Sequence, residues 1–198
     1  MQLPEICKIN IEVGINGFEK TVFERLLIAF DSIENEAREL KEQYLSEKSK
    51  NFHPDHDDEA SIYEYAEAME GFYVCDEREL RQDFLNSSVT WLFHLFEKQK
   101  KYIYSTDKTE DIKKHLIKKN SPYDVETCPY FKVINKEMRS LANAVKHGEQ
   151  SDAMQKLRIN YSNYVQNEKI IVSKVDIEKF IFSLRQFWKK ALHDEIVL

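Results

Sequence analysis

The residues whose types and spacing could do chemistry lie together in one stretch, MRSLANAVKHGEQ, at positions 138–150. On a helix turning by about 100° per residue, Arg139, Asn143 and His147 fall within about 80° of one another, with Lys146 beside them. Ile134, Met138, Leu141 and Val145 recur at helical spacing on the opposite side and form a core stripe. One helix would then bury one face and offer an Arg, an Asn, a Lys and a His on the other. Such a set can bind a phosphate and move a proton. Arg presents a two-pronged fork to phosphate oxygens. His titrates near neutrality and can give or take a proton. Asn can orient either the substrate or the imidazole. The same letters also suit a plain helix stop: cations in the last turn meet the negative end of the helix dipole, and Gly148 is a residue expected at a left-handed cap.

A second run, His53-Pro-Asp-His56-Asp-Asp-Glu, holds ligand-type side chains that could meet a divalent metal. It sits in a loop before a helix, where acids are favoured by the dipole, so no metal or other cofactor is expected. His94 in WLFHLFEK is read as a core or interface residue, and Trp91, Trp188 and the Phe-rich stripes as core. The sequence carries no Gly-rich phosphate loop and no nucleophile elbow.

Long helices must position these groups. Gly and Pro number only four each in 198 residues, too few for the many turns of a β-sandwich. The expected fold is all-α, a single-domain bundle of about six helices covering 18–198, preceded by a short extended arm over 1–17, where Ile9, Ile11, Val13 and Ile15 alternate with other residues. Helices are expected at about 18–49, 60–74, 76–104 and 108–119, the last ended by Asn120-Ser121-Pro122. A fifth starts after Pro129 and ends at Gly148. A loop and a short extended piece, KIIVS, lead to a final helix capped by Ser173 or Asp176, with Phe180, Leu184, Phe187, Trp188 and Ala191 inward.

Charge is unevenly placed within a net of −6. From Asp31 to Asp83 there are 17 acids against 6 bases. From Lys98 to Asn120 there are 8 lysines against 3 acids, and from Lys132 to Lys146 there are 4 bases and one acid. Such blocks are either solvated faces or a local basic surface for phosphates or an acidic partner. The acidic total argues against sequence-blind coating of nucleic acid. Cys7, Cys75 and Cys128 are odd in number and contain no CxxC, which suits a reducing, cytoplasmic compartment. The longest apolar cluster, Trp91 to Phe96, is interrupted by His94 and is too short to cross a membrane. The first residues carry no basic-then-apolar leader.

The order of elements and the words WLFHLFEK and SLANAVKHG resemble the HEPN superfamily (higher eukaryotes and prokaryotes nucleotide-binding domain). The likeness covers residues 20–192 in outline and about ten residues in motif. It implies long helices before a motif-bearing helix and a closing C-terminal helix. It also implies a homodimer whose two motif helices form one composite site. Many such proteins are metal-independent ribonucleases of toxin–antitoxin, abortive-infection or antiviral systems. By that resemblance His147 matches the motif histidine and Asn143 its polar residue. Ala142 stands where the motif Arg belongs, and Arg139 lies one turn earlier. Arg139, Asn143 and His147 are the implied catalytic residues, Lys146 a substrate-binding one, and RNA or a nucleotide the ligand. The alternative is a catalytically inactive helical interaction module holding a cognate protein partner.

Overall fold

Apolar residues three and four apart decide most of the architecture. The computed structural model describes residues 5–106, 108–118 and 124–193. The fold is all-α, with one two-residue β-ladder. Its helices are α1 (Glu5–Glu19), α2 (Ile33–Lys50), α3 (Glu59–Tyr104), α4 (Thr109–Lys118), α5 (Pro129–Lys132), α6 (Arg139–His147), α7 (Asp152–Asn160) and α8 (Lys174–His193). Wide π-turns fill Lys20–Leu26 and Val133–Met138, so 129–147 is one helical run with a bulge in the middle. The Asn120-Ser121-Pro122 stop lies outside the described residues. Among the described residues no helix is long and apolar enough to cross a membrane.

The start of the chain differs from the extended arm expected over 1–17. Residues 5–19 are α1. Ile11, Ile15, Phe18 and Val22 are buried at helical spacing, and that period of about 3.6 prevails over the weaker alternation of Ile9, Ile11, Val13 and Ile15. Gly14 does not break the helix. A Cβ there would lie 3.4 Å from both the Gln99 amide and Leu95, so the small residue admits α3 at close range. Gln99 then donates to the Ile11 carbonyl and accepts from the Trp188 indole N–H at 2.7 Å. Arg185 on α8 reaches Asn16 and Glu19, each at 2.6 Å.

The chain divides into two compact units, residues 1–21 with 84–198, and residues 22–83. In the smaller, α2 and the first part of α3 are joined by Lys41 to Glu67 and Glu70, Arg78 to Glu34 and Tyr73 to Glu36. The helices expected at 60–74 and 76–104 are one 46-residue helix. Asp58 caps it, accepting from the Ala60 N–H and the Ser61 hydroxyl. Nothing between holds a breaker except Gly71, which has open space around it.

In the larger unit the core gathers Leu85, Val89, Leu92, Phe93 and Phe96 of α3, Phe131, Ile134, Met138 and Leu141 of the 129–147 run, and Phe180, Leu184, Phe187 and Trp188 of α8. Phe96, Phe187 and Trp188 meet edge-on or tilted with centroids 4.9–5.9 Å apart, a favoured aromatic arrangement. Trp91, expected in the core, is 46 % exposed, and His94 is exposed and bonded to Glu97. His94 lies on the outer side of α3, whose buried stripe is 85–89–92–96, and Trp91 lies at the flank, where it meets Phe18 of α1 edge-on with centroids 4.9 Å apart. Ser173 and Asp176 cap α8 together rather than singly. The Asp176 N–H donates to the Ser173 hydroxyl oxygen, and the Ser173 N–H donates to the Asp176 carboxylate. Lys169–Ile170 pairs with Val165–Gln166 as the short ladder.

Candidate functional site

Pro129 starts the motif-bearing run at a position where a missing N–H costs nothing. Ile134, Met138 and Leu141 are buried, as the spacing predicts, while Val145 is half-buried. The exposed positions of the run are Pro129, Lys132, Lys136, Arg139, Asn143, Lys146 and His147. They follow one another at steps of three and four until the end, and so form a single ridge. Among the described residues none of the ridge's cations is in an ion pair, and no acid stands on the ridge. The run's own carboxylate, Glu137, is turned aside. It accepts from the Tyr164 hydroxyl at 2.6 Å and the Lys179 ammonium at 2.5 Å. Burial pushes the Tyr164 phenol well above its ordinary pKa, and the bond to Glu137 adds to this.

Gly148 ends α6 with φ 83° and ψ 176°. The φ is positive, as expected for a cap glycine, but ψ is extended, a region almost confined to glycine. The chain therefore leaves the helix in an extended step and turns at once. The Ser151 N–H and hydroxyl both bond the Gly148 carbonyl, the hydroxyl at 2.7 Å, and the same hydroxyl oxygen caps α7 by accepting from the Met154 N–H. Met154 and Leu157 are fully buried, as is Ala144 on α6. This corner lays α7 against α6.

Between them opens a cleft of about 510 Å³ lined by Ser140, Asn143, His147, Ser151, Asp152, Ala153 and Lys156. Asn143 and His147 are thus brought together, exposed and with side chains that have no hydrogen-bond partner among the described residues. Arg139 and Lys146 are on the same helix but do not line the cleft. Helix geometry explains why. The cleft faces the arc of Ser140, Asn143 and His147, whereas Arg139 and Lys146 are seven residues apart on a common meridian, about 70–90° to one side. Arg139 is also about 12 Å from His147 along the axis, eight residues at 1.5 Å each. Ala142, in the motif's Arg position, is only 3 % exposed, so a guanidinium there would be desolvated within the core.

Lys156, Ser151 and Asp152 are cleft residues that the sequence reading passed over. Their signal was Ser151 three residues before Met154, a cap followed by the 154–157 spacing. The His53 run forms a turn instead of a cage. The His53 N–H donates to the Asp57 carboxylate at 2.8 Å, and the His56 and Asp57 N–H groups to the His53 carbonyl. Among the described residues no three His, Cys, Asp or Glu side chains converge as metal ligands. No family model matches the chain, and neither a curated protein nor a solved structure matches it.

Proposed function

We propose that this chain is a HEPN-like protein of a prokaryotic defence or toxin–antitoxin system, cytoplasmic and homodimeric, that cleaves RNA without a metal at the α6–α7 cleft. The observation that carries the reading is the joint opening of Asn143 and His147, both without a hydrogen-bond partner among the described residues, into one solvent-reachable cleft large enough for a phosphodiester. Lys156 supplies a positive charge from the facing helix, and the ridge of Lys132, Lys136, Arg139 and Lys146 extends over about 21 Å, fourteen residues of axial rise. That ridge suits the phosphates of a single strand.

The chemistry follows from the groups available. His147 takes the proton of a ribose 2′-hydroxyl as its oxygen attacks the adjacent phosphorus. The bond from phosphorus to the 5′-oxygen breaks, that oxygen takes a proton from water, His147 returns its own proton to the solvent, and a 2′,3′-cyclic phosphate remains. Lysine and arginine offset the charge that grows on the non-bridging oxygens. Arg139 is too far along α6 to serve its own chain's His147. Asn143, however, is midway between them, four residues from each. Two α6 helices crossing antiparallel at Asn143 about a two-fold axis would set Arg139 of the partner subunit beside His147.

Incubation with a fluorescent single-stranded RNA in EDTA tests the proposal. Wild type is expected to yield cyclic-phosphate ends, and His147→Ala to lose about 10²–10⁴ of the rate. No cleavage by the wild type refutes the nuclease. The burial of Ala142 and the absence of Arg139 from the cleft lining favour a second reading, a catalytically inactive module that holds a cognate protein on the same ridge. Retention of RNA or of a partner protein without cleavage would support it.

A further inference from the structure

Within the unit 22–83, the first half of α3 meets α2 along one side and carries an apolar stripe away from it. On the first side Ala66 is fully buried, and Glu67, Glu70 and Tyr73 bond to Lys41 and Glu36 of α2. The other carries Tyr65, Ala68, Phe72 and Cys75, all exposed. Their steps of three, four and three place them within about 80° of arc. Phe72 is 72 % exposed and Tyr65 59 %, with the Tyr65 ring at the stripe's border tilted against Tyr44 of α2, centroids 5.1 Å apart. Spacing of this kind is the seam of a helix that pairs with another helix. Gly71 adjoins it and a Cβ there would meet nothing within 4 Å, so the backbone is open to close approach.

Charge selects the occupant. The unit holds 18 acids against 7 bases, a net of −11, while the rest of the chain is +5. Glu64 and Asp76 stand exposed beside the seam. Pairing this seam with its own copy would set −11 against −11, a like-charge contact that coiled helices avoid. We propose that the Tyr65–Ala68–Phe72–Cys75 stripe docks a lysine- or arginine-rich amphipathic helix from a different protein.

The test titrates the full chain with two synthetic three-heptad helices that have leucine at the seam positions and either lysine or glutamate elsewhere. Binding is read by fluorescence anisotropy, and alkylation of Cys75 is followed by mass spectrometry. The lysine helix is expected to bind, to shield Cys75 from alkylation and to weaken as salt rises; the glutamate helix is expected not to bind. Phe72→Glu raises the negative charge, so attraction by charge alone would strengthen. The proposal instead expects a loss on the order of tenfold or more, with Phe72→Leu retaining affinity and all variants keeping wild-type helicity by circular dichroism. Undiminished binding to Phe72→Glu, unaltered alkylation of Cys75, or no binding by wild type overturns the docking seam. A wild-type dimer that Phe72→Glu converts to monomer assigns the seam to a second copy and overturns the basic partner.

Discussion

If Arg139 of one subunit serves His147 of the other, two dead enzymes mixed together should make a live one. The perturbations are Arg139→Ala and His147→Ala, each at an exposed position of α6. Among the described residues neither side chain makes a hydrogen bond or an ion pair, so the fold should tolerate both changes. Alone, His147→Ala lacks its proton carrier in both sites of the dimer, and Arg139→Ala lacks its phosphate clamp in both. The expected losses are about 10²–10⁴ and about 10²–10³ respectively. The eight-residue separation, about 12 Å along the helix, prevents either chain from assembling a complete pair by itself. After unfolding and refolding in equal amounts, about half the dimers are mixed, and each mixed dimer has one intact site and one doubly defective site. Activity should therefore return to about one quarter of wild type, far above the sum of the separate variants. The assay is cleavage of a fluorescent single strand in EDTA, with dimer content followed by light scattering. A mixture no more active than the average of its components would refute the composite site, even if wild type cleaves RNA.

Lys132→Ala with Lys136→Ala should leave cleavage of a dinucleotide unchanged. For a long single strand the salt slope of binding should fall by about 1.4, two phosphates at about 0.7 each; an unchanged slope would remove the ridge from the binding surface. Gly148→Ala meets no steric neighbour, so its cost is purely that of the backbone at φ 83°, ψ 176°, about 1–3 kcal/mol by urea melting. Tyr164→Phe deletes one of the two bonds that hold Glu137; a loss of about 1 kcal/mol is expected, readable as a fall of about 2–4 °C in Tm. An unchanged Tm would show that Lys179 holds the carboxylate alone.

What the residues disclosed in advance depended on whether one pattern stood alone. Phe180, Leu184, Phe187, Trp188 and Ala191 admit only a helix, and all are buried on α8. In the first twenty residues two periods compete. Alternating Ile9, Ile11, Val13 and Ile15 read as extended chain, yet Ile11, Ile15, Phe18 and Val22 are the buried set, and only the neighbouring α3 and α8 surfaces decide between them. The seeming boundary near Cys75 and Asp76 is a change in side-chain chemistry along an unbroken backbone. At the site, Asn143 and His147 share a helix, so their alignment follows from a single rotation angle. Lys156 belongs to another helix, and its arrival depends on the ψ of Gly148, which no residue spacing encodes.

The bulge at Val133–Met138 works as a clutch between two segments that answer to different neighbours. Upstream, α5 is meshed with α8; downstream, α6 is meshed with α7. A π-turn holds about one residue more than the α-turn it replaces, so removing one residue there would restore a regular helix and leave both segments facing as they do. Phe131 and Met138 would keep their buried places. The rod can lose or gain a residue at this one point without either grip letting go.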